Sequence, residues 1–123
     1  MSPFRRRFLL ALFGLAVTTP APGAKPTTPA EEIEQLLQRV ANARGVVFIR
    51  NGSEHTAADA AAHLRRKLGA AKGRIKTPEQ FIDKLATRSS MTGKAYRVRL
   101  PDGREVESAA WFNTLLRELR QGR

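Results

Sequence analysis

Ala95-Tyr96-Arg97-Val98-Arg99-Leu100-Pro101-Asp102-Gly103-Arg104-Glu105-Val106-Glu107 is the stretch that decides the fold class. Tyr96, Val98 and Leu100 alternate with Arg97 and Arg99, the period of a strand with one buried face and two arginines turned outward. Pro101-Asp102-Gly103 turns the chain, and Arg104 to Glu107 returns as the second strand of a hairpin. Directly after it the period changes. Ser108 reads as the cap of a helix whose Trp111, Phe112, Leu115, Leu116 and Leu119 give the widest apolar face in the sequence.

Upstream, helical and strand periods alternate again. Ile33, Leu36, Leu37 and Val40 recur at helical spacing, predicting an amphipathic helix over residues 30–43, with Glu31, Glu32 and Glu34 at its positive end and Gly45 as a stop. Val46 to Arg50 is a short β-branched and aromatic run ended by Asn51-Gly52, a strong turn dipeptide. Thr56 caps a second helix, with Asp59 three residues on. Its inward stripe of Ala57, Ala60, Ala61, Leu64 and Leu68 is mostly alanine, so another element must approach it closely. Thr77-Pro78-Glu79-Gln80 opens a third helix from which Phe81, Ile82 and Leu85 face inward. Ser89 to Lys94 is a polar loop. The expectation is a helix-rich α+β domain, about four helices on a small antiparallel sheet with one clear hairpin at residues 95–107.

The N-terminal residues carry an address. Arg5-Arg6-Arg7 precede an apolar run of ten residues, Phe8 to Val17, and small or turn-forming residues follow to Ala24. A bilayer-spanning helix needs roughly twenty apolar residues, so residues 1–23 read as a cleavable signal peptide and the location as periplasmic. Cleavage after Gly23 leaves Ala24 first. The general secretory route fits best; Arg5-Arg6-Arg7-Phe8-Leu9 also matches a twin-arginine core, and an uncleaved signal would leave a membrane-anchored form. Residues 24–30, with Pro26 and Pro29, read as a Pro-rich disordered linker, and residues 31–121 as a single small domain.

Charge narrows the partners. The chain has 22 basic and 11 acidic residues, net +11; without the three signal arginines the net is +8. Such an excess attracts polyanions. After export those are lipid phosphates, wall carboxylates and acidic proteins, which puts nucleic acid third. With no cysteine in the chain, stability must come from packing.

No motif names a reaction. His55 and His63 are the only histidines, and a zinc site would need two further ligands, from Asp59, Glu54 or elsewhere; Asp59 and His63, four apart, would form an ordinary helical pair without metal. Neither a metal nor another cofactor is expected. Ser89, Ser90 and Thr92 beside Lys94 raise a nucleophile reading, but Gly-x-Ser-x-Gly and Ser-x-x-Lys frames are absent, and Thr92-Gly93-Lys94 lacks the rest of a phosphate loop. The plainer reading is a loop that hydrogen-bonds its own backbone. Arg65-Arg66-Lys67 with Lys72, Arg74 and Lys76 is the densest basic stretch, either a solvated face or an anion-docking patch.

Phe48-Ile49-Arg50-Asn51-Gly52, Ala60, His63-Leu64-Arg65-Arg66-Lys67, Phe81-Ile82, Ser89 through Tyr96, Ser108 and Trp111 together resemble the YfeK-like family, small exported bacterial proteins carrying a domain of unknown function. The resemblance covers residues 31–120. It implies a periplasmic location and a small helix-rich fold, and no activity. One departure is Arg44-Gly45-Val46, where relatives often carry Ser-x-Cys. The polar residues shared with the family, Arg50, Asn51, His63, Lys67, Ser90, Lys94 and Tyr96, lie on three segments. Gathered in space, they would make either a hydrogen-bond network fixing helices to sheet or a pocket for an anionic ligand. The functional expectation is a non-enzymatic binding protein for an anionic envelope component or a protein partner. The alternative is a small hydrolase or transferase pairing Ser90 or Ser89 with His63.

Overall fold

In the computed structural model, which describes Pro26 and residues 28–123, four helices pack on one face of a four-stranded antiparallel sheet. The α+β expectation holds. The expected signal peptide lies outside the described residues, as do Ala24, Lys25 and Thr27 of the expected linker. Helix α1 spans Pro29–Ala41, strand β1 Val47–Arg50, β2 Ser53–Thr56 and α2 Ala57–Ala70. A short α3, Pro78–Phe81, runs into a π-helical turn, Ile82–Ala86, and β3 (Arg97–Arg99), β4 (Glu105–Glu107) and α4 (Ser108–Arg120) complete the chain. No described helix is long and apolar enough to cross a membrane.

Helix α1 starts earlier than its apolar period suggests, inside the stretch expected to be linker. Thr28 accepts from the Glu31 amide and the Glu31 carboxylate accepts from the Thr28 amide, a closed capping box, with Pro29 in the first turn. Ile33, Leu36, Leu37 and Val40 are buried, as their spacing predicts. The chain then turns through Gly45, whose φ of +71° suits glycine; a Cβ there would also stand 3.3 Å from Pro101 Cγ in the β3–β4 turn.

The sheet order is β2-β1-β3-β4, so two hairpins lie side by side. The 95–107 hairpin forms as expected. The second, β1–β2, turns at Asn51 (φ 52°) and Gly52 (φ 82°), both left-handed as a type I′ turn requires. Strand β2, Ser-Glu-His-Thr, adds a second hairpin to the one the sequence pattern predicts. It offers no apolar alternation and pairs through its backbone to β1.

Register sorts the two faces. Phe48 stands opposite His55 and Val98, and Val98 opposite Val106, on the helix-covered side. Arg97, Arg99, Glu54 and Glu105 share the other side. There Arg99 reaches across β1 to Glu54 at 2.6 Å and toward Glu105 at 3.7 Å. These exposed ion pairs are screened by solvent and stabilise the sheet little.

The core lies between the sheet and the helices. Leu36, Leu37, Val40, Phe81 and Val98 are fully buried, and removing such a side chain from water stabilises by about 1.5–3 kcal/mol. Phe48, Trp111, Phe112 and Phe81 form an edge-to-face chain with centroids 5.3, 5.4 and 6.3 Å apart. The alanine stripe of α2 lies along the packed pair of α1 and α2: Ala57, Ala61 and Leu64 join Ile33, Leu37 and Val40 in one buried cluster, with Ala60 and Leu68 half-buried at its edge. Thr56 caps α2 by accepting from the Asp59 amide, and Thr77 caps α3 by accepting from the Gln80 amide.

One cap differs. Ser108 is the first residue of α4 rather than its cap; Glu107 holds the extended cap conformation, and its side chain makes no capping bond. The Ser108 amide instead donates to the Tyr96 carbonyl at 2.9 Å, prolonging the β3–β4 ladder into the helix start. Ladder closure thus takes the serine that local chemistry would have used as a cap.

Candidate functional site

Three segments bring polar side chains to the seam between β1, α2 and the 87–96 loop. Arg50 follows Phe48 by two on β1, so it emerges on the helix-covered side of the sheet. His63 and Lys67, four apart, share one face of α2. The loop is held by the turn that precedes it and by the pairing of Arg88 with Ala95.

Of the seven expected residues, five enter three small contacts. The Arg50 guanidinium lies 3.1 Å from His63 Nε2 and 3.4 Å from Nδ1. A guanidinium only donates, so a ring nitrogen facing it must be unprotonated. Burial, with Arg50, Lys67, Arg66 and His55 nearby, lowers the His63 pKa below its ordinary value. The imidazole is therefore neutral at pH 7, and Asp59, its expected helical partner, makes no hydrogen bond to it.

Lys67 has left the solvated face on which the sequence placed it. Its Nζ donates to the Leu85 carbonyl at 2.8 Å and to the Tyr96 hydroxyl at 3.3 Å. The helix end leaves carbonyls without an onward partner, and Lys67 takes that of Leu85, while the Thr87 hydroxyl reaches back over the π-helical turn to the Ile82 carbonyl at its start, at 2.7 Å. The ammonium meets the polar end of the Tyr96 ring rather than its face.

The third contact centres on Ser89, not Ser90. Buried Ser89 Oγ accepts from the Met91 amide (3.2 Å), the Thr92 amide (3.3 Å) and Asn51 Nδ2 (3.3 Å). Thr92 Oγ1 donates to Asn51 Oδ1 at 2.7 Å and accepts from the Lys94 amide. Ser90 and Lys94 are exposed, and their side chains stay outside all three contacts. The bonds of Ser89 and of His63 do not join them: the serine serves its loop and the imidazole faces Arg50.

A cavity of about 240 Å³ opens at the Arg50–His63 contact. Its floor is Phe48, Leu64, Ala86 and Phe112, all buried, and its mouth carries Arg50, His63, Asp59 and Arg66. His55 forms part of the wall, and its buried Nε2 has no hydrogen-bond partner. Among the described residues no three His, Cys, Asp or Glu side chains are grouped to hold a metal ion. Sequence spacing gave no sign of this hollow, whose floor comes from four elements, or of the Leu85 carbonyl as a lysine partner.

Ion pairing divides the chain unevenly. From Arg65 to Lys94 it carries nine basic and two acidic residues. Among the described residues only one of those nine, Arg65, pairs with a carboxylate, that of Glu34 at 2.9 Å. By contrast Arg39, Arg97, Arg99, Arg104 and Arg120 all have acidic partners.

Over residues 27–120 the sequence matches a family of unknown function, DUF5329. It is similar to the uncharacterized protein YfeK of Salmonella typhimurium (strain LT2), with 40% identity over 91 residues, 74% of this chain and 76% of that protein. No solved structure matches it.

Proposed function

Because the chain belongs to this family of unknown function, DUF5329, whose description assigns no activity, we propose a role from its own residues: a non-enzymatic exported domain that binds an anionic component of the cell envelope in the periplasm. The supporting observation is that the exposed cations from Arg66 to Lys94, Lys67 apart, have no carboxylate partner among the described residues. Unpaired surface charge is costly to concentrate and attracts a partner of opposite sign. The N-terminal signal pattern supports a partner among lipid phosphates and wall carboxylates, with an acidic protein as the other source of the same chemistry.

The test uses the protein as an exporting Gram-negative host delivers it, recovered by fractionation, its N-terminus read by mass spectrometry. Co-sedimentation is measured with phosphatidylglycerol-containing vesicles, pure phosphatidylcholine vesicles and purified peptidoglycan. Binding to an anionic sample at low salt, lost at 300 mM, is expected, since charge attraction is screened over a Debye length. Equal recovery with neutral and anionic samples, or recovery of the protein from the cytoplasm alone, overturns the proposal.

A further inference from the structure

We propose that the cavity between β1 and α2 is a binding site for a small carboxylate carrying an apolar body, the carboxylate parting the 3.1 Å contact of Arg50 with His63 to bond both, and the body on Phe48, Leu64 and Phe112. Its architecture divides by depth: buried apolar floor, charged mouth. A cavity of about 150 Å³ already admits benzene, so about 240 Å³ holds a ring with a carboxylate attached.

The mouth sets the sign of the ligand. Arg50 is half-buried, has no carboxylate partner among the described residues, and leans on a neutral ring that cannot balance its charge. Arg66 adds a second cation at the rim, and exposed Asp59 is the one acid there. A guanidinium fork matches two carboxylate oxygens, and such bonds are about twice as strong as neutral ones. Arg50 and His63 supply two donors once His63 carries a proton. A phosphate dianion would have an oxygen left over.

Ligand entry should reverse the balance at His63. The groups facing it are Arg50 from β1, His55 from β2, Asp59, Arg66 and Lys67 from α2, and Tyr96 before β3. The cations among them hold the imidazole neutral, and an arriving carboxylate favours the imidazolium instead. Affinity then rises as pH falls from 8 toward 5.5. Arg66 borders both this site and the exposed cations that run on to Lys94, but a ligand in the cavity is partly enclosed and less exposed to screening.

The probes are benzoate, benzamide and phenyl phosphate, titrated into the exported chain by calorimetry and by the indole N–H resonance of Trp111. Trp111 is the only tryptophan in the sequence and touches both Phe48 and Phe112. Benzoate is expected to saturate at about 1 mM, the range open to so small a ligand. Benzamide should bind at least about tenfold more weakly, matching loss of a charged hydrogen bond. Arg50→Met should abolish binding, and Ala62→Phe, at the exposed mouth, should block it without touching the core. Binding at 300 mM salt should stay within about threefold. Equal affinity for benzamide, preference for phenyl phosphate, unchanged binding in Ala62→Phe, or loss with salt in parallel with the vesicles each overturns the assignment.

Discussion

Replacing Ser89 by alanine removes one atom and three hydrogen bonds. Its Oγ accepts from two backbone amides, those of Met91 and Thr92, and from Asn51 Nδ2. The geometry is that of a helix cap transplanted to a loop, and a capping serine is worth about 0.5–2 kcal/mol. The third bond ties the loop to the β1–β2 turn and adds about 1 kcal/mol. Water can reach part of the loop, so the expected cost is about 2 kcal/mol rather than the full sum. At roughly 4–8 °C per kcal/mol for a domain this size, Tm falls by about 8–16 °C. Urea unfolding gives the free energy, and hydrogen exchange at the Met91 and Thr92 amides gives its location. Ser90→Ala, at an exposed hydroxyl outside these contacts, should stay within about 0.5 kcal/mol of wild type. A Ser89→Ala protein as stable as Ser90→Ala, or with both amides still protected, would refute the reasoning.

Lys67→Met should cost about 1.5–3 kcal/mol in urea unfolding, because it strips a charged donor from the Leu85 carbonyl and the Tyr96 hydroxyl; a loss under 0.5 kcal/mol would return Lys67 to the solvated face. Gly45→Ala should destabilise by about 1–2 kcal/mol, since an L-residue at φ +71° is strained and its Cβ crowds Pro101; thermal melts check it, and an unchanged Tm argues against the reading. The pH dependence follows from His63, whose folded pKa lies below 6.5. The native state then holds fewer protons than the unfolded chain, so this stability is complete above about pH 6.5 and lost as pH falls through 6.5 toward the folded value. Tm should drop between pH 7.5 and 5.5, and His63→Gln should flatten that slope.

What the sequence made legible was whatever a periodic pattern can carry. Ile33, Leu36, Leu37 and Val40 announced a buried helical face, and Val98 between two arginines announced a half-buried strand. Strand β2 stayed hidden because Ser53–Thr56 earns its place by backbone pairing to β1, with side chains that carry no signal. The site was half readable. Arg50, His63, Lys67, Asn51 and Tyr96 were singled out and do lie along one seam. Ser89 and Ser90 differ only in which way the backbone turns, a choice made by Asn51 across 38 residues. Lys67 looked like any basic residue in a basic run, and its role depends on a carbonyl left without an onward partner at a helix end. Ser108 showed the reverse, a clear local signal overruled by the sheet.

That π-helical turn also bears on chain length. Residues 82–86 carry one more residue per turn than an α-helix would use, so the segment behaves as an insertion built into α3. The turn has already absorbed that residue, so deleting exposed Lys84 would let the segment regularise with its flanks nearly in phase. The cost would fall on the contacts at the turn itself, Lys67 with the Leu85 carbonyl and Thr87 with the Ile82 carbonyl. The extra residue thus serves these contacts rather than the onward course of the chain.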